Sequence, residues 1–191
     1  MTVKPSDRIF VRTPHRCPPW LCFTFDNVFR RWIHDPGRRL GRYVSRGQTA
    51  LDLGPGKGYF TVPLARMVGE GGSVIAADID PVMLKGVMQR ARRARVERRI
   101  EPHLCGEDGS GLERPVDFAL MFWMLHEVPD SARLLREVRA VLKPGGRLLL
   151  VEPRLHVSPD MFERQLRTAA EAGFRVQDKP RVSLSRAAVL A

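Results

Sequence analysis

From residue 49 onward, short apolar runs alternate with stretches whose apolar residues recur every three or four positions. The runs at 49–53, 73–78, 100–104, 116–123 and 147–152 predict strands; the periodic stretches at 59–68, 81–95, 131–142 and 159–172 predict helices. Met83, Leu84, Val87, Met88, Ala91 and Ala94 form one helical face, as do Leu134, Leu135, Val138, Val141 and Leu142. Asp80-Pro81 and Ser158-Pro159 each place a capping side chain before a proline at the first helical position. The helix over 131–142 stops at Lys143-Pro144-Gly145-Gly146, and Gly173 ends the next one. Two further strands are expected over 174–182 and 185–190. Strand-helix alternation of this kind predicts an α/β fold with a doubly wound parallel sheet covered on both faces.

The first 47 residues differ. They hold seven of the 14 aromatic side chains, among them Trp20, Phe23, Phe25, Phe29 and Trp32, and are broken by Pro5, Pro14, Pro18, Pro19 and Pro36. Helices are expected over 25–33 and 38–44, so residues 1–47 read as an aromatic, basic extension or lid and 48–191 as the main domain. At 191 residues, 43% hydrophobic, the chain has material for one core. No apolar run approaches the roughly 18 residues of a membrane span, and no secretory signal pattern opens the chain, so a cytoplasmic enzyme with no membrane partner is expected. Cys17, Cys22 and Cys105 are too few and too irregular for a disulfide scaffold. Nor do Cys17, Cys22 and His15 match a zinc spacing, so no metal site is assigned.

Charge adds one alternative. The net charge is +11, concentrated in residues 1–47 (ten basic, three acidic) and 85–99 (seven basic, one acidic). Such patches invite a nucleic-acid reading. However, 27 of the 32 basic residues are arginine, a skew that codon composition alone could produce.

The chemistry concentrates at Leu51-Asp52-Leu53-Gly54-Pro55-Gly56-Lys57-Gly58-Tyr59-Phe60, a strand running through three alternate glycines into a helix. Glycines there permit positive φ and close approach of a ligand to helix-start N–H groups. A phosphate-binding loop needs Ser or Thr after Gly-Lys, and Gly58 stands there instead. The dinucleotide fingerprint spaces its last two glycines three apart, against two here, which weighs against NAD without excluding it. Asp52 would also repel a pyrophosphate by about 1 kcal/mol or more. S-adenosylmethionine reverses that sign, because it carries an ammonium and a sulfonium and no phosphate. Asp78 closes the next strand 20 residues after Gly58, an offset suited to accepting both ribose hydroxyls.

These segments, with VIAADIDPVML and LLREVRAVLKPGGRLLLVEP, resemble the class I S-adenosylmethionine-dependent methyltransferases over residues 45–190. The resemblance implies a mostly parallel seven-stranded sheet with a reversed final strand. It implies cofactor contacts from Asp52, Gly54, Gly56, Gly58, Asp78, Ile79 and Trp123, with Glu107 or Asp108 near the adenine. Pro55 and the run Cys105-Gly106-Glu107-Asp108-Gly109 depart from the usual pattern. The loop Trp123-Met124-Leu125-His126-Glu127-Val128 resembles that of small-molecule enzymes of the quinone-biosynthesis type. His126 is the leading catalytic base candidate and Glu127 the second, with Glu152 and His156 ranked lower on the acceptor side. The Asn-Pro-Pro-aromatic sequence of adenine-N6 and glutamine methyltransferases does not occur. A small-molecule acceptor is therefore expected; an RNA methyltransferase and a catalytically silent cofactor-binding module are the alternatives.

Overall fold

The computed structural model describes residues 40–106 and 108–191. The extension up to residue 39, with the helix expected over 25–33, and Glu107 lie outside the described residues. Seven strands form one sheet: β1 (Thr49–Leu53), β2 (Ser73–Asp78), β3 (Ile100–Leu104), β4 (Val116–Phe122), β5 (Leu142–Pro153), β6 (Val176–Asp178) and β7 (Ser185–Leu190). The helices are α1 (Thr61–Val68), α2 (Pro81–Arg93), α3 (Ser131–Val141) and α4 (Pro159–Glu171). The spatial order is β3-β2-β1-β4-β5-β7-β6. Neighbours from β3 to β5 run parallel, and β7 is antiparallel to both β5 and β6.

Alternation along the central strands divides the core into two layers. Leu51 and Leu53 pack on one face with Leu134, Leu135 and Val138 of α3 and Phe162 of α4. Ala50 turns to the other face with Leu64 of α1 and Val87 of α2. Each fully buried Leu or Val of this kind contributes about 1.5–3 kcal/mol. The expected caps form: Asp80 accepts from Val82 N–H and Ser158 from Met161 N–H.

Three boundaries differ from the periodicity. First, β5 begins at Leu142 rather than at residue 147. Leu142 pairs with Val116 and Arg147 with Phe118, so residues 143–146 bulge out of the strand; Lys143 folds back onto Asp117 at 2.8 Å. Second, the strand expected over 174–182 shrinks to Val176–Asp178. Phe174 is buried beneath the sheet edge, and Pro180 lacks the N–H needed to continue a ladder. Third, α1 starts at Thr61 because Tyr59 and Phe60 still belong to the glycine turn.

Candidate active site

The site is built on the carboxyl ends of β1, β2, β4 and β5, where connections leave the sheet on both sides of the strand-order reversal. Gly54, Gly56 and Gly58 take φ of +62°, +53° and +83°, a region costing other residues about 1–2 kcal/mol. Gly54 and Gly58 have a second, steric reason. A Cβ at Gly54 would lie 3.0 Å from Met124 Cβ, and one at Gly58 would lie 3.3 Å from Val87 Cα of α2. At Gly56 a Cβ would meet nothing within 4 Å among the described residues. Gly54 and Gly58 thus hold the turn against the body of the protein, while Gly56 presents bare backbone to open space.

Asp52 is not an exposed lip on this turn. It is 2% exposed, and its Oδ2 accepts a 2.6 Å hydrogen bond from the Thr61 hydroxyl at the start of α1. It ties the end of β1 to the start of α1 beneath the glycines. Thr61 is a residue that sequence reasoning missed: on the helix it reads as an ordinary polar residue, and only the turn brings it to Asp52. Asp78, half-buried at the end of β2, accepts from Asp80 N–H through Oδ1 at 2.9 Å. Ile79, beside it, packs on the edge of the larger core.

The loop after β3 carries Asp108, whose side chain is exposed while its carbonyl accepts from Arg133 of α3. Glu137, also on α3, accepts from Ser110 N–H at 2.8 Å and from Arg133 Nε at 3.2 Å. Helix α3 therefore fixes the backbone of this loop. Cys105, a free buried thiol at its start, is pushed up to about 12 by burial and by the negative charges of Asp78 and Glu137.

Trp123 leaves β4 at φ +61°, an unusual conformation for a bulky residue. Its N–H still bonds Val151 O at 2.7 Å, and its indole N–H donates to Ser185 Oγ of β7 at 3.0 Å. This directs the polar edge of the ring to the protein. The backbone then turns through Leu125–Glu127 and presents His126 to β5. Both oxygens of Glu152 accept from that one residue: Oε1 from His126 N–H at 3.1 Å and Oε2 from Nδ1 at 2.6 Å. Glu152 is 0% exposed, and a buried carboxylate of this kind is stable only when so paired.

Nε2 of His126 lies 3.8 Å from Glu127, whose side chain is exposed, and the exposed His156 brings its ring centroid within 5.8 Å. Burial alone would lower the His126 pKa, but the hydrogen bond and charge of Glu152, with the charge of Glu127, reverse that and raise it above 6.5. The structure thus joins His126 and Glu127 at one loop and promotes Glu152 to the partner of His126. Among the described residues, no group of three or more His, Cys, Asp or Glu side chains is arranged to hold a metal ion.

Residues 51–150, more than half of the chain, match the model of the methyltransferase domain family. The chain belongs to that family, and its sheet order and glycine turn are those of the class I S-adenosylmethionine-dependent methyltransferases. Within that class it is similar to enzymes of the quinone-biosynthesis type. It is 38% identical over 110 residues to the ubiquinone/menaquinone biosynthesis C-methyltransferase UbiE of Enterobacter sp. (strain 638), a match covering 57% of this chain and 44% of the relative. The match therefore spans less than half of that relative's length.

An S-adenosylmethionine-dependent methyltransferase from Aquifex aeolicus has a similar structure. Its TM-score is 0.79 at 25% identity, covering 92% of this chain and 98% of the other. Fibrillarin of Aeropyrum pernix, solved with natively bound S-adenosylmethionine, shares the fold at TM-score 0.59 and 20% identity, over 78% of this chain and 68% of its own.

Proposed function

We propose that this protein transfers a methyl group from S-adenosylmethionine to a small-molecule acceptor, with His126 removing the acceptor's proton and Glu152 orienting His126. The observation that carries the reading is the juxtaposition at one sheet edge of three features: a glycine turn with open space at Gly56, the carboxylate of Asp78, and the His126–Glu152 pair.

The donor set fits the cofactor chemically. Bare backbone at Gly56 admits the methionine portion, and the charge of Asp52 behind the turn favours its ammonium. On this reading Asp78, at the end of β2, accepts the ribose hydroxyls, and Asp108, on the loop braced by α3, serves the adenine end. When bound, the cofactor supplies a methyl group on a cationic sulfur, ready for in-line displacement. Alignment and exclusion of water then provide much of the acceleration.

The named relative is a C-methyltransferase. Methylation at carbon forms a C–CH3 bond and breaks the S–CH3 bond, and the hydrogen on the acceptor must leave as a proton. In its neutral form His126 can take that proton on Nε2, because Nδ1 bonds to Glu152, and the carboxylate stabilises the resulting imidazolium.

Most of the arginine-rich stretch 85–99 lies away from the cofactor edge. Helix α2 starts at the cofactor edge with Pro81 and runs away from it to Arg93, about 18 Å at 1.5 Å per residue. Arg92, Arg93, Arg95 and Arg98 are exposed at that far end.

Calorimetry with S-adenosylmethionine and S-adenosylhomocysteine, followed by transfer of labelled methyl into extracted metabolites, tests the reading. A folded sample that binds neither compound overturns it; binding without any transfer leaves a silent cofactor module in its place.

A further inference from the structure

Beyond the cofactor edge, the end of β5 and the β6–β7 hairpin border an open cleft of about 240 Å3 between Arg154, Phe162, Lys179, Arg181 and Arg186. Arg154 and Arg186, exposed and half-buried respectively, line it together with the Lys179–Glu163 pair and the exposed Arg181. Glu163 pairs with Lys179 at 2.7 Å, so the positive charge the cleft keeps is that of Arg154 and Arg186. Arg154 is fixed in the wall, because its Nε donates to Ser185 O at 3.0 Å. The Nε of Arg186 is buried with no hydrogen-bond partner among the described residues, a costly condition for a charged group unless a ligand supplies an acceptor. Glu152 stands opposite Arg186 in the β5–β7 register, yet it gives both carboxylate oxygens to His126. Pro159 at the start of α4 also lines the cleft, which adds the positive end of a 13-residue helix dipole.

The cleft adjoins the acceptor loop. Ser185, one of its lining residues, accepts from the indole of Trp123, and β7 is separated from β4 only by β5. Two strand spacings amount to roughly 10 Å, about the length of a fused aromatic ring system with one substituent.

We propose that this cleft binds an anionic group, a carboxylate or a phosphate, carried by the methyl acceptor, while the carbon to be methylated lies at His126. The proposal rests on the small-molecule methyl-transfer reading and narrows it to acidic acceptors. Positive charge from Arg154 and from Arg186, whose Nε is buried in the wall, selects such a group over a neutral one.

The test is titration calorimetry of the full chain with 1-naphthoate, 1-naphthyl phosphate, inorganic phosphate and neutral 1-naphthalenemethanol. At least one of the two charged naphthyl compounds should bind ten-fold or more tightly than the alcohol. Preference between them identifies the headgroup, and inorganic phosphate matching the naphthyl phosphate would show a free-anion site, overturning the acceptor assignment. Arg186→Met and the exposed-site variant Arg154→Gln should each weaken the charged probe at least ten-fold and leave S-adenosylhomocysteine affinity unchanged.

Equal binding of charged and neutral probes, or unchanged affinity in Arg154→Gln, overturns the proposal. So does a 20-nucleotide RNA that binds more tightly than the naphthyl probes and loses that binding in both variants. If S-adenosylhomocysteine itself fails to bind, the methyl-transfer reading falls separately, and the charged and neutral probes still decide the cleft.

Discussion

Glu152, fully buried at the end of β5, clamps His126 through both carboxylate oxygens, one on the backbone N–H and one on Nδ1. The ring is therefore held in one orientation, with Nε2 on the side of Glu127, 3.8 Å away. The same pairing raises the His126 pKa over the opposing effect of burial.

Activity should accordingly increase with pH through a value above 6.5, as His126 loses its proton. Glu152→Gln removes the strongest influences that raise the pKa, so this limb should move to lower pH while the maximal rate falls. His126→Gln should abolish the limb. Initial rates from pH 5 to 9 measure both, and an unshifted limb in Glu152→Gln would show that another group titrates.

The linkage to stability has the opposite sense. A folded-state pKa raised above the unfolded value means that the stabilisation is fully present below about 6.5 and is lost as pH rises through the raised value. Urea midpoints of the wild type should therefore decline across that window, and those of His126→Gln should lack this component.

Asp78→Ala should weaken S-adenosylhomocysteine binding about 10- to 100-fold, the worth of a hydrogen bond to a charged group at roughly 1.5–3 kcal/mol. The part-buried Asp80 N–H that Asp78 bonds can be satisfied by water, so loss of that bond should move the thermal midpoint little. Calorimetry beside thermal melting separates the two effects.

Thr61→Val should destabilise the fold by about 1.5–3 kcal/mol, since it removes a hydrogen bond to a buried carboxylate. It should also weaken cofactor binding by disturbing Asp52. Thr61→Ser keeps the hydroxyl and should recover most of both losses. Failure of serine to rescue either would place the effect in packing instead.

Gly56 and Gly58 should part company. Both lie at positive φ, but an added Cβ at Gly58 meets the backbone of Val87, whereas at Gly56 it enters open space. Gly58→Ala should cost more than the about 1–2 kcal/mol of conformational strain. Gly56→Ala should cost only that strain while losing cofactor affinity. Urea unfolding paired with calorimetry reads the difference.

Much of the architecture was legible along the chain. Asp80-Pro81 and Ser158-Pro159 mark helix starts because a cap and a proline act within a single turn, and both starts form as expected. β1, β2, β3 and β7 occupy the spans their apolar runs predict. The far end of the sheet was less legible: the bulge at 143–146 exists because Leu142 finds a partner in Val116, a residue 26 positions away. Glu127, flagged beside His126, sits at 3.8 Å from its Nε2 with an exposed carboxylate, whereas Glu152, ranked below it, is the closer partner.

The sequence by itself determined the order of strands and helices, the glycine turn, and the acids that close β1 and β2. Each of these rests on interactions within a few residues, which propensity and periodicity encode directly. Tertiary structure alone decided that Asp52 would lie beneath the turn, that Trp123 would bond Ser185 and that Glu152 would hold His126. Such pairs depend on which strands become neighbours and in what register, and that is settled by the packing of the whole sheet.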